Sequence, residues 1–275
     1  MPKRYTDTHV PDSFSRKVYL RPLDNPALPA RFSSGAQRRT VQLQGFLKEL
    51  QTAASPLAPT HPPELLVINK SDWRTLFSYP YGLPFTRTTR GNVSIVAAAT
   101  YPERLLHRFD DVLVRAAQEG ETVPGDLREF LDLLIGHEWG HAVANLSGLR
   151  TRVKWVDEFV ATYLFLLALR EIGAEDVLER FLAWARLEVA GSGVTRAPLG
   201  TFEYPRMKLR FTTMLWFQGM FTLRAAELVE TRGWDFPLAF REAFDGGDRG
   251  DVARTLVEVE PSFREWFVVF GVEAE

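Results

Sequence analysis

Cysteine is absent from this sequence. That excludes a disulfide framework, a thiolate metal site and a cysteine nucleophile, so any metal must be held by histidine, aspartate or glutamate. A charge excess is missing too: 33 Lys and Arg stand against 35 Asp and Glu, for a formal net charge of −2. Without a basic surplus the chain lacks the electrostatic footprint of a nucleic-acid or acidic-membrane binder. The greasiest run, FVATYLFLLAL from Phe159 to Leu169, falls well short of the roughly 20 apolar residues that span a bilayer. The N-terminal MPKRYTDTHVPDSFSRKVYL starts basic but has no apolar core of the kind a signal peptide needs. A soluble cytoplasmic protein with no nucleic-acid or membrane partner is the expectation, its oligomeric state left open.

What is present is ordinary globular material. Hydrophobic residues make up 45% and charged residues 25% of the 275 positions, enough for a sizeable core. Residues 1–33 are rich in proline and charge and read as an extended arm. A helix is expected over about 34–53, with Val41, Phe46 and Leu50 on one side. SPLAPTHPP breaks the chain at 55–63, ELLVIN at 64–69 reads as a buried strand, and SDWRTLF opens a helix on a Ser71 or Asp72 cap. SYPYGLPFTRTTRG at 78–91 is turn-rich, and NVSIVAAA at 92–99 is a second strand.

Helices are expected over 102–118 and from near Pro124 or Asp126 to about Asn145, with RTRVKW at 150–155 a short strand or a loop. Beyond that everything reads as helical: about 156–172, 174–190, 206–232, 236–244, 249–258 and 261–270. The fold class is therefore helix-rich α+β, with a small N-terminal sheet, a central motif helix and a helical C-terminal half. Three segments follow, together one compact unit: an arm and helix over 1–63, a core over 64–172, and a helical subdomain over 173–275.

The chemistry concentrates in LDLLIGHEWGHAVANL at 131–146. On a helix, positions i and i+4 share a face one turn apart, so His137 and His141 can aim two imidazoles at one point. Glu138 is rotated from that axis yet stays near whatever an ion there carries. This is the spacing of a catalytic zinc site, with two nitrogen ligands and a carboxylate placed to take a proton from water. Gly136 and Gly140 each cost about 1 kcal/mol relative to alanine in a helix, which implies close backbone approach along their face.

A catalytic zinc commonly takes a third protein ligand. The pattern H-E-x-x-H-x-x-G-x-x-H would need Gly at 144 and His at 147, and Ala144 and Ser147 stand there. Of the other histidines, His9, His61 and His107 all lie upstream, and His107 beside Asp110 and Asp111 reads as a surface residue. Downstream, WVDEFVATYLFLLAL opens a new helix with Asp157 and Glu158, and a carboxylate on so greasy a helix is costly to bury unless it is paired or bound to metal. Adjacent acids point about 100° apart on a helix, so only one of them can face the motif.

HEWGH followed by DEFVAT resembles the gluzincin class of zinc metallopeptidases, in which a glutamate on the next helix is the third ligand. DEFVATYL is also similar to bacterial metallopeptidase families with compact catalytic cores. The resemblance covers roughly residues 92–170. It implies a zincin-like core around the motif helix, a Zn2+ ion held by His137, His141 and Glu158, and Glu138 as general base. Asp157 remains the rival ligand, or caps its helix. Ala161 matches the class, whereas Thr162 stands where the class has aspartate to hold a ligating histidine.

The implied activity is hydrolysis of a peptide or protein substrate by zinc-activated water. Related enzymes add an oxyanion donor from Tyr, His or Arg; Tyr204 is the first choice here, with Arg206, Tyr163 and Tyr81 behind it. The strand at 92–99 is the expected edge for an extended peptide. MLWFQGMF at 214–221 reads as core and RTRVK at 150–154 as a solvated loop. Two other functional classes compete: a non-catalytic zinc-stabilised regulatory or protein-binding module, and a metal-free helical interaction protein.

Overall fold

A computed structural model of the protein describes residues 18–23, 28–57, 59, 61–89, 91–121, 127–203, 209–244, 246 and 249–271. It is helix-rich α+β: a five-stranded mixed sheet from the N-terminal part and, among the described residues, ten α-helices that fill the rest.

The chain opens with two three-residue strands, β1 (Arg21–Leu23) and β2 (Ala30–Phe32). The described end of the expected arm is thus built into the sheet. Helix α1 (Gln37–Ala53) follows, burying Thr40, Leu43, Gln44, Leu47 and Leu50. Of the expected side, Leu50 is buried and Phe46 packs on the core, but Val41 is 52% exposed, because the stripe runs through Leu43 and Leu47 instead. Strand β3 (Glu64–Ile68) leads into the short helix α2 (Lys70–Leu76). Its cap is Asn69, whose side-chain oxygen accepts from the Asp72 amide at 2.9 Å, one position ahead of the expected Ser71 or Asp72.

The turn-rich stretch 78–91 contains strand β4 (Phe85–Thr89), and β5 (Asn92–Ala98) follows. The sheet order is β1-β2-β3-β5-β4; β2, β3 and β5 run parallel, and β1 and β4 are antiparallel to their neighbours. Strand β5 therefore lies inside the sheet, hydrogen-bonded on both sides, and β4 rather than the expected 92–99 strand is the edge.

Side chains alternate across the sheet as the two-residue period demands. Leu66, Ile68, Val96 and Ala98 face α2 and its buried Trp73, whereas Leu65, Val67, Val93 and Ile95 join the main core. That core is closed by α3 (Glu103–Gln118), α4 (Leu127–Leu146), α5 (Lys154–Glu171), α6 (Glu175–Gly191) and α7 (Phe211–Arg232). Helices α8 (Asp235–Ala243), α9 (Arg249–Val259) and α10 (Phe263–Val269) complete the chain. Residues 150–153 form a loop rather than a strand, and Pro124 and Asp126 lie outside the described residues.

Helix α5 is the centre of the molecule. Every residue from Glu158 to Leu169 is buried, as for a helix surrounded by other elements on all sides. It packs most closely on α4, where the motif glycines sit. A Cβ built on Gly140 would lie 2.1 Å from the carbonyl oxygen of Ala161, and one on Gly136 would lie 2.2 Å from the Phe165 ring. Gly140 lets the backbones of α4 and α5 meet, the close approach its cost implied, whereas Gly136 makes room for the Phe165 ring. Among the described residues no helix is long and apolar enough to cross a membrane.

Candidate metal centre

Helix α4 ends at Leu146 on Gly148, whose φ of +77° allows the Leu149 amide to reach back to the Ala144 carbonyl at 2.8 Å. A short loop then turns the chain onto α5. Asp157 fixes that loop: its Oδ1 accepts from the amide of Thr151 at 2.8 Å and from the Thr151 hydroxyl at 2.9 Å. Asp157 therefore does not cap α5, whose N-cap is Val153 with no side-chain bond. Burial pushes the Asp157 carboxyl up, and the two Thr151 bonds pull it partly back.

With Asp157 committed to the loop, its neighbour faces the motif. Glu158 Oε2 lies 3.0 Å from His137 Nε2 and 3.4 Å from His141 Nε2. His137, His141 and Glu158 together form a group that could hold a metal ion, their donor atoms all within 4.8 Å of one another. Donors on one tetrahedral ion at about 2.0–2.1 Å lie about 3.3 Å apart, so the spacing suits a single cation. The donor chemistry suits one too. Two imidazoles and a carboxylate, with His137 and Glu158 buried, bring nitrogen and oxygen donor atoms to a common point.

His137 and Glu158 are each oriented by a further contact. His137 Nδ1 is 3.0 Å from Thr162 Oγ1. In the tautomer that leaves Nε2 free, Nδ1–H donates to that hydroxyl, which fixes the orientation of the ring. Gln218 on α7 donates from Nε2 to Glu158 Oε2 at 2.7 Å. The imidazoles of His137 and His141 stand edge to face, centroids 4.8 Å apart.

The group opens on one cavity of about 510 Å³, into which His137, Glu138, His141 and Glu158 all face. Glu138 is 8% exposed. Thr86 and Thr88 of the edge strand β4 also line the cavity, and β4 is tied to α4 at two points. Thr86 Oγ1 donates to the Glu138 carbonyl at 2.7 Å, and Asn145 Nδ2 donates to Thr88 Oγ1 at 2.9 Å. Arg150 and Lys154 also line it, so part of the basic RTRVK loop borders the centre.

The other sequence candidates go elsewhere. Tyr204 and Arg206 lie outside the described residues. The Tyr163 hydroxyl is buried, donates to the Gly233 carbonyl at 2.6 Å, and has its pKa raised by that burial. Tyr81 packs on Trp73 and bonds to Thr100. His107 is an exposed partner of Asp110, as its surroundings implied, and His61 is exposed as well.

Gln218, Thr86, Thr88 and a further carboxylate in the cavity, Glu188, escaped sequence reasoning. Glu188 and Gln218 did leave a trace: each is a polar residue on the buried stripe of its helix, Glu188 in register with Phe181, Trp184 and Ala185, and Gln218 with Leu215 and Thr222. Comparison of the chain with protein-family models, curated proteins and solved structures gives no match.

Proposed function

We propose that the protein is a zinc-dependent metallopeptidase, with His137, His141 and Glu158 as the metal ligands and Glu138 as general base. The observation that carries this reading is the meeting of three donor atoms from α4 and α5 at one point of a cavity that Glu138 also lines. A zinc ion there supplies Lewis acidity, making water acidic near neutral pH and polarising a carbonyl. Glu138 takes the proton from the attacking water and delivers it to the leaving amine. Thr162 holds the His137 ring, and Gln218 holds the Glu158 carboxylate, so that neither has to reorganise during turnover. Strand β4 pairs with β5 alone among the described strands, and its outer edge offers backbone groups to an extended peptide chain. A cavity walled by helices and one strand limits access, which suits a narrow substrate range.

Two variants test the proposal. His137→Ala should abolish stoichiometric zinc in the purified protein. Glu138→Gln should keep zinc and fold but lower cleavage of a mixed synthetic peptide library by about 10²–10⁴-fold. Wild-type protein that binds no zinc, or a Glu138→Gln variant as active as wild type, contradicts the assignment.

A further inference from the structure

The cavity continues past the metal group to a carboxylate with no partner. Glu188 on α6 is 6% exposed, lines the same cavity as His137 and Glu158, and has no hydrogen bond or ion pair among the described residues. Its place beside the centre is fixed by α7. Gln218, which holds Glu158, is followed by Gly219, where an added Cβ would come within 3.4 Å of the Glu188 Cβ. Around it the walls are aromatic and apolar. Phe109, Phe130, Phe181 and Phe211 line the cavity, with Phe109 packed edge-on against Phe130 and Phe211.

A lone buried carboxylate costs several kcal/mol unless it is neutralised or paired. Burial raises the Glu188 carboxyl to about 8, and among the described residues no cation pairs with it to bring it down. Structural packing does not call for a carboxylate at this position, since a leucine would fill a Phe-lined wall without that cost. A ligand that brings both an alkyl stem for the rings and a cation for the carboxylate would satisfy every group present, and cations are favoured over aromatic faces as well.

We propose that this end of the cavity is a specificity subsite for a lysine or arginine side chain of the substrate, with Glu188 as its counter-ion and the phenylalanine rings around its alkyl stem. The subsite rests on the peptidase reading for the word substrate, but the cation-binding chamber itself does not.

The test therefore starts without metal. Calorimetric titration of metal-free protein with n-butylguanidinium should show binding that weakens about 10- to 100-fold in Glu188→Gln, the range of a charge-assisted hydrogen bond. The neutral probe n-pentanol should bind both proteins alike. In wild-type protein, needing no variant, n-butylguanidinium binding at pH 7 should release a proton, seen as a heat that depends on the buffer. Zinc-loaded wild type should then cleave peptides carrying Lys or Arg about 10- to 100-fold faster than the same peptides carrying Leu, and Glu188→Gln should lose that preference while still cutting the Leu peptides. Equal or absent guanidinium binding in wild type and Glu188→Gln overturns the subsite. Guanidinium binding that depends on Glu188, without cleavage of any peptide, keeps the cation chamber and overturns the peptidase reading instead.

Discussion

Substituting Gly140 with alanine tests whether the motif glycines exist to bring two helices together. The added Cβ would sit 2.1 Å from the carbonyl oxygen of Ala161, 2.8 Å from its carbon and 3.0 Å from its Cα. A tolerable carbon–oxygen contact is about 3.3 Å, so α4 and α5 must part by about 1 Å. Neither partner is a side chain that can rotate away, and α5 is buried on all sides, so the strain spreads through the core. Overpacking of this kind costs about 1–3 kcal/mol, against which the better helix propensity of alanine returns about 1 kcal/mol.

Net destabilisation should therefore reach up to about 2 kcal/mol, read as a lower urea midpoint for the metal-free protein. The same parting separates His141, next in sequence, from Glu158, one turn before Ala161. Zinc affinity in a chelator competition should fall about tenfold or more, the scale of a disturbed ligand support. Gly45 supplies the control. It is exposed within α1, with no atom near its Cβ position, so Gly45→Ala should stabilise by about 0.5–1 kcal/mol. If Gly140→Ala is also stabilising and binds zinc like wild type, the close-approach argument is wrong.

Three further outcomes follow from the same geometry. Thr162→Val keeps the side-chain shape but removes the partner of His137 Nδ1, so zinc affinity should drop about tenfold while stability changes by only about 1 kcal/mol; unchanged affinity would show that the hydroxyl does not orient the ring. Asp157→Asn should keep stoichiometric zinc and loosen the 147–153 loop, whereas Glu158→Gln should lose zinc; the reverse pattern, read by metal analysis, would exchange the two roles. Glu188 should make the metal-free protein weaken with pH. Its carboxyl ionises near 4.5 in the unfolded chain and near 8 in the fold, so stability present below pH 4.5 is lost as pH rises toward 8, at about 1.4 kcal/mol per pH unit and on the order of 5 kcal/mol in all. Denaturation of wild type and Glu188→Gln should thus diverge between pH 5 and pH 8 in favour of the variant, and a constant difference across that range would contradict the burial.

The parts of this fold that were legible in the sequence are those set by neighbours along the chain. His137, Glu138 and His141 declare themselves through the helical repeat, and Gly136 and Gly140 announce a close approach without naming Ala161 or Phe165 as its object. The boundaries of α4 and α5 follow from Gly148 and the apolar run after Val153. Strand β4 was hidden because an edge strand buries little: Arg87, Thr88 and Thr89 are exposed and carry no apolar alternation. Strands β1 and β2 are three residues each, too short for a period to emerge. Asp157 and Glu158 could not be separated by sequence because what divides them is Thr151, a loop contact that no helical repeat encodes. Gln218 and Glu188 meet the centre only through the packing of α6 and α7 on α5, which is a property of the folded chain.

The two threonine contacts between β4 and α4 also decide how the sheet edge is registered. Thr86 and Thr88 share one face of β4, opposite Ile95 and Val93, and both reach α4. Phe85 and Arg87 point the other way, Phe85 onto Trp73, Phe77 and Tyr79, and Arg87 over the Phe77 ring. Sliding β4 by one residue would turn Phe85 and Arg87 toward the helix and strip the aromatic cluster of its central ring. An edge strand held on one side only is the element freest to slip, and here two hydroxyls pin it in place. The strand that borders the candidate metal centre is thus held in its register from both faces.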